Sequence, residues 1–349
     1  MHKMDINKLN SPPLLWANNL RALSIFAVVL LHVASEFVSN IDGQDILYGS
    51  RSWWAGNIYA SVSMWCIPLF VMISGYFLLN TSEPHRLFYK KRLQRIGIPL
   101  LFWSVFYSIW LLLKHSMNGD ISSAYFTVAK GWALGEPYYH LWYLFMIPFL
   151  YLITPVLRVI ITAITQKEML VVICLCFALA MLAALSDIVL LYFNLNAKVS
   201  LFTNEFLSYI GYFCLGGYIA KYSVSVNIKA CLLLFCIAIL ITITGSYFIT
   251  HLYFYSYLSI NIVLASIALF FIIKHYANKN LKLENIAKVS FGIYLIHPLF
   301  IKAFQTVQPW LLNWIDVSVY IPLVASCTLL LSYLTAISIS KIRWLARCI

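Results

Sequence analysis

An all-α membrane helix bundle of about ten transmembrane helices, with both termini cytoplasmic, is what the sequence predicts, and three observations lead there. Hydrophobic residues make up 62% of the 349 and charged residues only 10%, with a mean hydropathy of +0.84, far more apolar than an ordinary soluble domain. Stretches of about 20 mostly apolar residues, each long enough to cross a bilayer, recur from Asn18 to Ile342 with short polar breaks. The third observation is where the cations fall. With the amino terminus inside, all but Arg51, Lys114, Lys130, Lys198 and Lys302 of the 24 Lys and Arg lie on the inner side. That asymmetry favours an even number of spans and two cytoplasmic ends.

The elements follow in chain order. A polar segment, 1–17, precedes a first span near 18–40 that opens on Arg21, and a second lies near 58–80. The basic run HRLFYKKRLQRIGIP leads into a third near 96–114, and an outer loop, 115–139, joins it to a fourth near 140–163. Spans near 169–191, 204–220, 230–250 and 253–273 come next, broken by Lys167, Lys221, Lys229 and Lys274. A ninth near 289–306 and a tenth near 320–340 precede the short basic tail, 341–349. Pro68, Pro99, Pro148 and Pro155 read as kinks. The whole chain, 1–349, reads as one integral membrane domain, with no soluble domain, internal repeat or low-complexity tract. Its first apolar run lacks a small-residue cleavage site and reads as a retained helix.

The net charge of +12 would suggest nucleic acid in a soluble protein. Its distribution reports topology instead, so the bilayer is the expected partner and nucleic acid is not. Several of the eight cysteines sit inside apolar spans and no C-x-x-C pair occurs, which makes them packing residues and not a disulfide frame or a metal site.

The first span carries the most informative pattern. Arg21 and His32 are eleven positions apart, about 16 Å of helical rise, and eleven steps of about 100° return to within about 20° of the same face. One stripe therefore bears a guanidinium near the inner edge and an imidazole deeper in, toward the outside. Glu36, four residues further, falls on that face and could orient the imidazole or hold its proton. Arg21 alone reads as a positive-inside anchor, and His32 alone as an interhelical hydrogen-bonding residue. An ionisable group within the membrane is nevertheless a functional candidate by default, and the shared stripe favours that reading for His32.

In the basic run, Arg92 and Arg95 are three residues apart. On a helix they present two guanidinium forks to one side, suited to phosphate oxygens, while Lys90 and Lys91 add charge; an anionic-lipid contact is the other reading. HLWYLF, 140–145, places His140, Trp142 and Tyr143 at the outer interface, as an aromatic belt or as a sugar-stacking platform. His297 lies within the ninth span beside Pro298, whose missing N–H opens the helix ladder. Asp187, Glu205 and Asp316 sit near outer span ends as solvated charges, and Glu136 lies in the outer loop.

Taken in order, NNLRALSIFAVVLLHVAS (18–35), PLFVMISGYFLL (68–79), KKRLQRIGIPLLFW (90–103), HLWYLF and SFGIYLIHPLF (290–300) resemble the acyltransferase 3 family of bacterial membrane proteins. The resemblance covers nearly the whole chain. It implies an O-acetyltransferase of the bacterial inner membrane that moves an acetyl group from cytoplasmic acetyl-CoA to a hydroxyl of an envelope glycan or lipid-linked sugar. It also implies that the R-x-x-R of Arg92 and Arg95 handles acetyl-CoA, with Arg21, and that His297 has a supporting place in the active cavity.

The chemistry then connects the two ends of the stripe. A nucleotide is too charged to cross, but a slender pantetheine arm could thread a bundle about 16 Å deep, with arginine at its charged end and histidine at its thioester. His32, with Glu36 beside it, is the expected catalytic group, either as general base toward a sugar hydroxyl or as an acyl-accepting nucleophile. No metal is expected, since no zinc spacing, H-E-x-x-H or P-loop occurs. The rival reading is a transporter or flippase of a lipid-linked glycan, gated by the same buried ionisable groups.

Overall fold

The computed structural model describes residues 14–38, 47–117, 121–193, 208–249 and 251–349, and every regular element among them is helical. Eight segments are long and apolar enough to cross a membrane: Leu15–Ser35, Arg51–Leu78, His85–Met117, Trp142–Ala163, Gln166–Leu190, Ile228–Phe248, Glu284–Leu311 and Val317–Ser340. At the other two expected positions, the helix Ile260–Tyr276 has 17 residues and Ile210–Lys221 has 12. Residues 194–207, including Lys198 and Glu205, lie outside the described residues, as do Lys3 and Lys8.

Helix α1 (Leu15–Ser35) is the hub. It packs against α2 (Arg51–Ser61), α3 (Cys66–Leu78), α12 (Ile260–Tyr276), α13 (Glu284–Leu311) and α14 (Val317–Ser340). Its apolar window is 72% buried, against 22% for α8 (Gln166–Tyr192) and α10 (Ile228–Phe248), which leave most of their side chains to lipid. The helix bearing Arg21 and His32 is thus enclosed by protein, where intramembrane ionisable groups are tolerated.

The second span is two helices. Polar residues at the α2–α3 break are satisfied within the bundle: Asn57 Oδ1 accepts from Ser61, Ser246 and Tyr255, and its amide donates to the Ile243 carbonyl. Broken helix inside a membrane needs such internal partners.

The basic run is helical. α4 (His85–Arg92) passes through a π-helical turn, Leu93–Gly97, directly into α5 (Ile98–Met117). Pro99 has no N–H to offer the Arg95 carbonyl, and its ring would crowd that oxygen in a regular α-helix; the wider turn absorbs the conflict. Pro68 sits in the first turn of α3, whereas Pro99 distorts the continuous helical stretch His85–Met117 through the π turn, and Pro148 and Pro155 lie inside α7 (Trp142–Ala163). The expected outer loop 115–139 also differs, since it contains a further helix, α6 (Ile121–Leu134).

Asp316 is solvent-accessible, as expected of a solvated charge, and is engaged as well. Its side chain caps α14 by accepting from the Ser318 amide and hydroxyl, and it pairs with Arg51 at 3.1 Å. Helix α9 (Ile210–Lys221) packs closely against α3, and α3 forms one wall of the site described next.

Candidate active site

A cavity of about 990 Å³ opens among α1, α3, α4, the π turn, α7 and α13. Its mouth is marked by Leu78, Thr81, Glu83, Lys91, Arg92 and Lys288, and its far end by Ile67, Tyr143 and Tyr294. From Leu78 to Ile67 along α3 is eleven residues, so the cavity is about 16 Å deep.

Three of the arginines singled out in the sequence, Arg21, Arg92 and Arg95, line this one space although they belong to different elements. The Arg21 guanidinium stands 5.1 Å from the Phe77 ring. Arg92 lies over Phe88 and Tyr151 at 5.2 and 5.8 Å, and its Nε is buried without a hydrogen-bond partner. Lys91 and Lys288 also line the cavity, and among the described lining residues Glu83 is the one carboxylate. Glu83 approaches Lys91 at 2.5 Å and Arg92 at 4.0 Å, leaving Arg21 and Arg95 without a carboxylate among the described residues. Lys288 pairs with Glu284 at 2.9 Å, so the uncompensated charge in the cavity is that of Arg21 and Arg95, which suits an anion.

Arg158, which sequence inspection placed only among the inner-side charges, braces the mouth. Its Nε donates to the Leu78 carbonyl at 2.8 Å, Nη2 to the Thr81 hydroxyl at 2.7 Å and Nη1 to the Glu83 carbonyl at 3.3 Å. Its charge spreads over Phe88, 4.6 Å away. One arginine thereby fixes the turn that carries Glu83.

Beyond the far end lies a group of imidazoles. His32 and His297 stack with ring centroids 5.2 Å apart, and His297 meets His140 edge to face at 5.3 Å. His297 Nδ1 is 2.7 Å from the Tyr294 carbonyl, so Nδ1 carries the proton and the buried, unpartnered Nε2 carries a lone pair. Tyr294 joins the two compartments: its ring borders the cavity, and its hydroxyl donates to the His140 carbonyl. His32 itself does not line the cavity. The stripe from Arg21 to His32 is continuous along α1, but the lining of this cavity reaches Tyr143 and Tyr294 and does not include His32.

His32 is half-buried and has the exposed Tyr139 against its other side, at 5.0 Å edge to face. Glu36 is placed one turn further along, as expected from the sequence, but its carboxylate accepts from the Gln305 amide and not from the imidazole. Gln305 in turn accepts from Lys302 at 2.6 Å. Sequence reasoning did not join His140 to this group, because HLWYLF reads equally well as an interfacial belt; its burial at 1% exposure decides otherwise. Among the described residues, no cluster of His, Cys, Asp or Glu has a metal-binding arrangement.

An anion cavity on one side and a histidine group on the other, meeting at Tyr294, is an arrangement suited to group transfer. Residues 14–337 match the family model described as an acyltransferase domain, that of acyltransferase 3. The chain belongs to the acyltransferase 3 family. No curated protein and no solved structure matches it. As a member of acyltransferase 3 it is a multi-pass membrane acyltransferase, and transport without covalent change is no longer the reading to prefer.

Proposed function

We propose that this acyltransferase moves an acetyl group from cytoplasmic acetyl-CoA to a hydroxyl of an envelope glycan, such as an O-antigen, a common antigen or a lipid-linked precursor, at the bacterial inner membrane. The observation that carries this reading is the convergence of Arg21, Arg92 and Arg95 on a cavity with a single described carboxylate. Both termini and the cavity mouth are cytoplasmic, in keeping with the charge asymmetry of the sequence. The bundle has ten spans, the two shorter helices completing the eight long ones.

Arg92, Arg95 and Lys91 hold the nucleotide phosphates at the mouth, and Arg21 steadies the donor further in. A depth of about 16 Å accommodates an extended thiol-terminated arm. The thioester then meets His32 once Tyr143 and Tyr294 turn aside. His32 accepts the proton of the sugar hydroxyl as its oxygen attacks the acyl carbon, or its ring nitrogen takes the acyl group first; in both routes the departing thiolate ends protonated. Glu36, held by Gln305, faces the acceptor and orients its hydroxyl, and His297 supports His32 from behind.

Membrane vesicles supplied with labelled acetyl-CoA test this directly. The label should appear in glycan as acetyl groups released by mild base, and label that stays in CoA would refute the assignment. Arg92→Ala and Arg95→Ala should each raise the dissociation constant for acetyl-CoA about tenfold or more, the worth of a hydrogen bond to a charged group. Parental affinity in both variants, read by calorimetry on purified protein, would remove the phosphate role.

A further inference from the structure

We propose that a second cavity, beneath the π turn, binds a single phosphate group beside the donor mouth, and that in acetyl-CoA this group is the ribose 3′-phosphate. The inference rests on the acyl-transfer reading above and deepens it by dividing the donor's phosphates between two chambers. The second cavity has a volume of about 530 Å³ and is lined by Lys91, Gln94 and Arg95 from the basic run and by Arg347 and Ile349 from the tail. Lys91 and Arg95 border both cavities, whereas Arg92 borders only the first.

An arginine at the inner end of a span reads as a topology signal when it stands alone. Here the fold brings Arg347 to Arg95 from the far end of the chain and holds it there. Trp103 Nε1 donates to the Cys348 carbonyl at 2.7 Å in a buried bond, and Ile349 packs over Gly292 of α13. The 3₁₀ turn Leu345–Cys348 lies against α5 and α14. An arginine set in a folded turn has less freedom to lose on binding than one in a loose tail.

The charge is also uncompensated. Lys91 is engaged by Glu83, but neither Arg95 nor Arg347 forms an ion pair among the described residues, and no carboxylate side chain lines the second cavity. Two guanidinium groups with the Gln94 amide around one concave space suit the oxygens of a phosphate monoester, which guanidinium binds through paired N–H···O bonds.

The chemistry of the donor supplies the match. Coenzyme A carries phosphate at two places on one ribose: a diphosphate at C5′ that continues into the pantetheine arm, and a monoester at C3′. A protein that sends the arm into one cavity must receive the monoester to the side of that cavity's mouth. The second cavity adjoins the mouth there, through Lys91 and Arg95. Arg95 thus stands between the two phosphate sites, and Arg347 serves the monoester alone.

Acetyl-dephospho-CoA, which lacks only the 3′-phosphate, tests this by calorimetry on the full chain in detergent. The parent should bind acetyl-CoA about tenfold or more tighter than the analogue, the worth of hydrogen bonds to a charged group. In Arg347→Gln that ratio should fall to about threefold or less, because acetyl-CoA loses affinity and the analogue does not. Arg92→Ala should weaken both donors alike and keep the parental ratio, since Arg92 does not line the second cavity. Equal affinity of the parent for the two donors would overturn the proposal whatever the variants do, and so would the parental ratio in folded Arg347→Gln. An anionic phospholipid headgroup is the other source of such a phosphate. A lipid site would show itself in phosphatidylcholine nanodiscs, where added phosphatidylglycerol would raise the melting temperature of the parent more than that of Arg347→Gln while the two donors bind alike. Failure of the acyl-transfer reading looks different, because the parent would then bind neither donor.

Discussion

Replacing His32 with alanine is expected to stop acyl transfer while leaving donor binding and folding nearly intact. The imidazole is half-buried and its described contacts are ring contacts, to Tyr139 and His297. Losing two such contacts costs about 1–3 kcal/mol of stability, which a bundle of this size withstands. Because His32 does not line the arginine cavity, acetyl-CoA should bind as it does to the parent. The rate is another matter. Removing a general base lowers it by about 10²–10⁴-fold, and removing a nucleophile leaves no covalent route at all. Calorimetric binding together with a single-turnover assay reads both halves of the expectation. A His32→Ala protein that transfers acetyl near the parental rate would show that the chemistry lies elsewhere. The Arg92 and Arg95 variants should behave in the opposite sense, losing affinity first, so the two sets of substitutions separate the cavity from the imidazole group.

Much of this site is legible in the sequence, for physical reasons. Helical periodicity places Arg21, His32 and Glu36 on one face from their spacing alone, and burial of α1 at the centre of the bundle follows from that face being polar. That Arg92 and Arg95 present their guanidinium groups together was readable from their spacing, with phosphate and anionic lipid both open as partners on charge alone. Their local geometry was not, because the π turn arises from Pro99, beyond the pair itself. His140 was hidden for a different reason. An interfacial histidine among Trp142 and Tyr143 has the composition of an aromatic belt, and only the tertiary approach of α1 and α13 turns it inward. The helix α6 escaped because a 14-residue segment is too short to span and reads as loop on length alone. The separation of His32 from the cavity by Tyr143 and Tyr294 depends on side-chain packing between helices, which a spacing argument along one helix does not reach.

The largest expected effect on stability lies at the crossing of α3 and α9. A Cβ placed on Gly75 would overlap the Phe213 carbonyl oxygen, and one placed on Gly216 would overlap the Met72 carbonyl oxygen. Both obstacles are backbone, so no rotamer change relieves them and the helices must separate. Small residues at such crossings are what allow two membrane helices to approach closely. Gly75→Ala and Gly216→Ala should therefore each cost about 3 kcal/mol or more, at or beyond the upper end for overpacking. Gly217→Ala should cost less, since the nearest atom it meets, Leu79 Cδ1 at 2.6 Å, can turn away and what remains is the milder contact with Leu79 Cβ at 2.9 Å. The damage reaches function through α3, which supplies Ile67, Phe70, Ile73, Ser74, Phe77 and Leu78 to one wall of the donor cavity. Pushing that wall outward moves Phe77 away from the Arg21 guanidinium and widens the cavity at its mouth. Thermal unfolding in detergent, combined with acetyl-CoA affinity on whatever protein remains folded, checks the order Gly75 and Gly216 before Gly217. A Gly75→Ala protein with the parental melting temperature and donor affinity would mean that α3 and α9 are not pressed together in the membrane, and with them the shape assigned to the cavity wall would fall.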